Sequence, residues 1–141
     1  MARLTLAQAE GIIGGAVAHG RGSGMRPLTV VVLDDRGAVV AAASEDGSSR
    51  GRFEVARGKA NGALAFELSS RRLGEMAVER PHFFAGAGPL VGGLVPVAGG
   101  VIVRDADNAV VGAVGISGDN SDNDEAAAIA GIRAAGLGVG A

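Results

Sequence analysis

The chain has no cysteine, no tryptophan and no tyrosine, and four phenylalanines are its only aromatic residues. Without cysteine, disulfides, thiolate metal ligands and cysteine nucleophiles are excluded. So few rings leave little with which to stack the bases of single-stranded nucleic acid. Neither sign of charge is in excess: 13 Lys and Arg face 15 Asp and Glu, for a net charge of −2. The basic footprint of a nucleic-acid binder is therefore missing. No run of about 18 apolar residues occurs, so no membrane-spanning helix is expected. The opening MARLTLAQAEG lacks the basic stretch and apolar core of a secretory leader, and a cytoplasmic location is expected.

What is abundant is glycine, 25 of 141 residues, against a usual share of roughly 7%. The glycines follow no fixed period. A core of Val, Ile, Leu and Ala interspersed with them implies close approach of backbones. The length predicts one domain, residues 1–141, able to bury roughly 68–70% of its unfolded surface.

Thr5 with Gln8 three residues on is a capping-box pattern. Leu6, Ala9, Ile13, Ala16 and Gly20 keep helical spacing, which predicts a first helix over 6–20. RGSGMRP then breaks it. Residues 28–33, LTVVVL, read as a strand, and Asp34-Asp35-Arg36-Gly37 as a turn into a paired strand at 38–43. Ser48 or Ser49 is the expected cap of a second helix running to about Ser70, with Glu54, Arg57 and Asn61 facing water. A short helical piece is expected around 73–78, then an irregular Gly- and Pro-rich loop over 79–93. Short strands are expected at 94–98 and 100–104, and the longest and most central one at 109–117. Ser121, with Asp124 in the reciprocal position, is the expected cap of a last helix that dissolves in GLGVGA. The order α-β-β-α-β-β-β-α predicts an α+β domain, an antiparallel sheet of about five strands with helices against it.

Several ordered motifs coincide: Asp46-Gly47 after the hairpin, Ala56-Arg57-Gly58-Lys59-Ala60-Asn61-Gly62-Ala63 in the second helix, and Gly99-Gly100 between strands. Gly112-Ala113-Val114-Gly115-Ile116-Ser117-Gly118 and Asp124-Glu125 complete the set. Over nearly its whole length the chain resembles the GlcG/HbpS family, the haem-binding-protein-S-like domains also found at the C-terminus of PduO-type proteins. The resemblance implies a profilin-like fold, a homo-oligomer that is often an octamer, and in some members haem binding and degradation. In one branch it implies a first-helix histidine as axial ligand, a place His19 holds here. Other relatives imply enzymes acting on small acids. Ser44-Glu45 before Asp-Gly, and Gly58, Asn61 and Gly62 in the helix, depart from the common pattern.

Candidate chemistry rests on few side chains. His19 ends the first helix beside the apolar stripe, and neutral imidazole ligates haem iron; the competing reading is a helix-end histidine meeting the negative dipole. His82, beside Phe83 and Phe84, is the second candidate ligand, with a loop anchored by the two rings as its competitor. Met25 and Met76 are more ordinary as core fillers. Lys59 sits among small residues, either binding a substrate carboxylate or haem propionate as a point charge or pairing with Glu45, Asp46, Asp124 or Glu125. Ser117 and Gly118, at a strand end, offer backbone N–H groups to a ligand, though the acids after them argue against phosphate. Arg50, Arg52, Arg71 and Arg72 read as solvated or at subunit contacts.

Two functions follow. In the first, an oligomer binds haem or a related small acidic ligand through His19 or His82, Phe83, Lys59, Ser117 and Gly118, with no other cofactor and no resident metal. In the second, a cofactor-independent lyase, isomerase or hydrolase acts on a small organic acid, Lys59 anchoring its carboxylate and Glu45, Asp124 or Glu125 moving protons.

Overall fold

The computed structural model describes residues 3–140, so residues 1, 2 and 141 of the expected domain lie outside the described part. The first helix, α1 (Leu6–Gly22), opens on the expected capping box: Gln8 N donates to Thr5 Oγ1 (3.1 Å) and Thr5 N to Gln8 Oε1 (3.0 Å). Strands β1 (Thr29–Asp34) and β2 (Val39–Ser44) form the hairpin. Its turn is set by the Asp34 carboxylate, which accepts from Arg36 N (2.8 Å) and Ala38 N (3.2 Å), and by Gly37 at φ 84°.

Three helices follow: α2 (Arg52–Phe66), α3 (Ser70–Glu79) and α4 (Pro81–Leu90). The expected loop over 79–93 is thus mostly helix. Pro81 takes the first position of α4, where its missing N–H costs no hydrogen bond. After them come β3 (Gly100–Arg104), β4 (Val110–Ser117), α5 (Ser121–Ala134) and β5 (Gly138–Val139). The five strands lie in the order β2-β1-β4-β3-β5, all neighbours antiparallel. The class is the expected α+β, with β4 central, but two strand assignments change. Residues 94–98 do not join the sheet; Val95 N donates to Gly58 O (3.2 Å), laying this segment across α2. The fifth strand comes instead from the glycine-rich tail, whose Gly138 and Val139 pair with β3.

Two caps also change. Ser48 and Ser49 do not cap α2, which starts from Gly51 without a side-chain cap; Ser48 bonds Thr29 instead. α5 is capped by Asn120, which accepts from Asn123 N (2.9 Å), leaving Asp124 free to turn inward. Asn61 does not face water. Its amide donates to Val91 O (2.9 Å) and Gly93 O (2.7 Å) and ties the end of α4 to α2.

Strand alternation sorts the core into two layers. Val30, Val32, Val114 and Ile116 point to the face covered by α1 and α5, where Ile12, Ala16, Ala128 and Ile132 fill the space. Val31, Leu33 and Ala113 point to the other face, against Ala56 and Ala60 of α2. On that side Gly115 and Gly100 have no room for a side chain. A Cβ at Gly115 would overlap the Ala56 carbonyl oxygen, and one at Gly100 the Lys59 carbonyl oxygen. α2 therefore rests on the sheet backbone itself. This contact carries Lys59 to the end of the central strand.

Candidate functional site

Lys59 leaves the inner face of α2 with its neighbours Ala56, Ala60 and Ala63, all fully buried. Its side chain passes Gly99, where an added Cβ would lie 2.8 Å from Nζ, and reaches the carboxyl end of β4. There Nζ donates to Ile116 O (2.9 Å) and to Asp124 Oδ2 (3.2 Å). The other carboxylate oxygen of Asp124 accepts from Asp119 N (2.9 Å). Lys59 is 2% exposed and Asp124 1%. The pair joins α2 on one face of the sheet to the start of α5 on the other.

Burial dominates the titration of both partners. It lowers the Lys59 ammonium from its ordinary value of 10.5 against the attraction of Asp124, and the like charge of Arg52 lowers it further. It raises the Asp124 carboxyl from 3.8, against the Asp119 N–H, Lys59 and the Gly118 N–H.

Beside the pair lies a small open hollow of about 190 Å³, lined by Arg26, Pro27, Gly47, Ser48, Ser49, Arg52 and Gly118. Arg52 Nη1 donates to Ser117 Oγ (3.1 Å), and Ser117 itself is buried. Thr29, cross-strand from Ser117, contacts Ser44 Oγ (2.8 Å) and Ser48 Oγ (2.7 Å). Asp119 binds Asn123 Nδ2 (2.6 Å), Arg26 N (3.1 Å) and Arg26 Nε (3.2 Å), which holds its carboxyl below the ordinary carboxylate range.

Of the residues singled out from sequence, Lys59, Asp124, Ser117 and Gly118 are brought together. The others are not. Glu45 accepts from Leu28 N (2.8 Å) and pairs with Arg21 (2.9 Å). Glu125, together with Asp122, binds Arg71, which is thereby engaged between α3 and α5 rather than merely solvated. His19 lies half-buried on α1, across the sheet from α2. His82 is exposed on α4, not in a loop, and its neighbour Phe83 stacks edge-on with Phe66 and Phe84, with Arg80 over its ring. Phe66 is seven residues beyond Lys59, about 10 Å along α2, so the expected convergence of a histidine with Lys59 and Asp124 does not occur. Met25 is a core residue. Arg52, Arg26 and Ser48 went unrecognised as part of a site. The helical spacing of Arg52, Ala56, Lys59 and Ala63 was the signal that could have placed Arg52 on the inner stripe.

A second hollow, about 420 Å³ and mostly apolar, lies between α4 and the segment after it, lined by Phe84, Ala85, Gly88, Pro89, Gly93, Leu94 and Pro96.

The family profile described as haem degrading protein HbpS-like matches residues 4–133. The chain belongs to the HbpS-like family. Among solved structures, the haem complex of PduOC is 22% identical, with 99% of this chain and 100% of that chain covered and a TM-score of 0.86. The crystal structure of HbpS is 28% identical, covering 94% of this chain and 90% of that chain at a TM-score of 0.83. Klebsiella pneumoniae protein ORFY shares the fold at 17% identity, 96% and 93% coverage and a TM-score of 0.84. No curated protein sequence matches. The α+β layering is thus that of the HbpS-like fold. Among the described residues no helix is long and apolar enough to cross a membrane.

Proposed function

We propose that this HbpS-like chain is a ligand-binding protein whose first ligand is haem, or a related small acidic molecule, held in a homo-oligomer. The observation that carries this reading is the apolar 420 Å³ hollow beside α4, with an imidazole one helical turn away. His82 and Ala85, three apart, share a face of α4, and Ala85 lines the hollow. Among the described residues neither His82 nor His19 has a side-chain hydrogen bond, so both imidazoles are available as donors. The donor set thus fits haem: imidazole for iron, and an apolar wall from Phe84, Leu94, Pro89 and Pro96 for the porphyrin. Bound haem would supply iron chemistry. The residues of this chain would orient it and keep water from its face. The kinship with HbpS and with PduOC, solved in complex with haem, supports the same reading.

Lys59 and Asp124 are closed off by the sheet and by each other, which weighs toward binding and against proton transfer by that pair. Oligomerisation is supported by the exposed Leu90 (87%) and Val78 (84%), which leave apolar surface at the α3–α4 end.

Haem titration tests the reading. A Soret shift saturating at about one haem per chain, at micromolar haem, is expected to persist in one single histidine variant and vanish in His19→Ala/His82→Ala. No shift, or an unchanged shift in the double variant, would refute it.

A further inference from the structure

We infer that the hollow between β1, α2 and the β4–α5 turn is a binding site for a small monocarboxylate, with Arg52 as its anchoring cation. The inference does not rest on the haem reading, whose histidines lie on α1 and α4, away from this hollow.

Charge is the first argument. The only charged side chains that line the hollow are Arg26 and Arg52, and Lys59 lies buried behind them with Asp124. Arg26 is matched by Asp119 and Lys59 by Asp124. Arg52 has no acidic partner among the described residues; only the neutral Ser117 hydroxyl receives one of its N–H groups. A guanidinium carries five donors in a planar fork suited to a carboxylate. One donor tethered to a buried serine fixes the fork, and others remain for a ligand. The excess of one positive charge, raised further by the neighbouring Lys59 ammonium, calls for a monoanion.

The hydroxyls are the second argument. Thr29 Oγ1 contacts both Ser44 Oγ and Ser48 Oγ, and a hydroxyl has one proton to give. The Ser48 hydroxyl, which lines the hollow, therefore offers it either its proton or a lone pair, according to the direction of this hydroxyl chain. Arg52 and Ser48 thus both bring polar groups to the lining.

Size and sign restrict the ligand. At about 190 Å³ the hollow is smaller than the pockets that take drug-sized molecules, which begin near ~300 Å³. Pro27, Gly47 and Gly118 form a bare floor suited to a short carbon chain. A second negative charge would find no further unpaired cation in the lining, since Arg26 is held by Asp119, which disfavours phosphate.

Calorimetric titration of the intact protein with pyruvate, and separately with inorganic phosphate, at constant ionic strength tests this. Saturable pyruvate binding is expected, at least ~10-fold weaker in Arg52→Gln. Gln preserves a donor to Ser117 while removing the charge. Ser48→Ala should weaken pyruvate by a smaller factor, and His19→Ala/His82→Ala should leave it unchanged while abolishing the haem shift. Absence of saturable binding up to ~50 mM pyruvate, tighter binding of phosphate than of pyruvate, or equal affinity in wild type and Arg52→Gln would overturn the inference; a ~10-fold ratio is read directly as the loss of the Arg52 contact. If Arg52→Gln fails to fold, Arg52→Lys replaces it, and full retention of affinity there would equally overturn the role of the planar fork.

Discussion

The two faces of the sheet are built by opposite rules. Under α1 and α5 the strands present branched side chains, Val30, Val32, Val114 and Ile116, to Ile12 and Ile132. Under α2 they present Ala113, Gly115 and Gly100, and the helix answers with Ala56 and Ala60. The first face is held apart by side-chain volume and is packed with apolar side chains. The second brings backbone onto backbone, and at its far end it admits a lysine, a serine and an arginine. Small residues lower the helix until a long side chain leaving it can reach past the end of the strands. Polar chemistry collects on the thin face for that reason.

The largest expected break in this contrast is Lys59→Met. It strands the Asp124 carboxylate in the interior and should cost about 3–5 kcal/mol in urea unfolding. Lys59→Met/Asp124→Leu should regain most of it, since the pair itself repays little beyond its own desolvation. A pH signature accompanies the charge. Burial holds folded Lys59 below 10.5, so just under that value the unfolded chain binds more protons than the folded one. Stability should therefore rise with pH through that window and become flat in Lys59→Met. The chain has one lysine and no cysteine or tyrosine, so no other side chain titrates there.

Next in size, Gly115→Ala should cost about 1–3 kcal/mol by forcing α2 off the sheet, because the new methyl meets the Ala56 carbonyl. Thermal unfolding measures it. The opposite sign is expected at Gly14 of α1, where an added Cβ meets nothing within 4 Å; Gly14→Ala should stabilise by about 0.5–1 kcal/mol through helix propensity alone. Smallest and confined to acid is Asp119→Asn. Hydrogen bonds from Asn123 and Arg26 hold the folded Asp119 carboxyl below 3.8. Its contribution is therefore present above that pH and fades as pH falls through the folded value. The variant should flatten the acid limb of a stability–pH curve and leave the alkaline limb alone.

Much of this was legible in the chain. Thr5 and Gln8 announced α1, and the VVVL and GAVGIS runs announced the two inner strands. The pattern around Lys59 pointed to the family that the profile then matched. The structure departs from local signals in three places. Prolines at 81 and 89 and five glycines between 74 and 93 look like loop chemistry, but a proline at a helix start, as Pro81 is, costs nothing, and burial of Phe84 and Gly88 holds α4 in place. Gly138 and Val139 have no strand signal of their own and pair only because the edge of β3 is there to receive them. Ser121 looked like the cap of α5 because propensity cannot distinguish it from Asn120 one residue earlier.

Local composition and periodicity by themselves determined the first helix, the hairpin and the central strand, because those depend on neighbours close along the chain. Which carboxylate meets Lys59, and that Arg52 meets a serine instead of one, were decided only by tertiary structure. Asp124 is 65 residues from Lys59, and Asp46, Glu45 and Glu125 were equally eligible partners until the sheet fixed which end of β4 the lysine could reach.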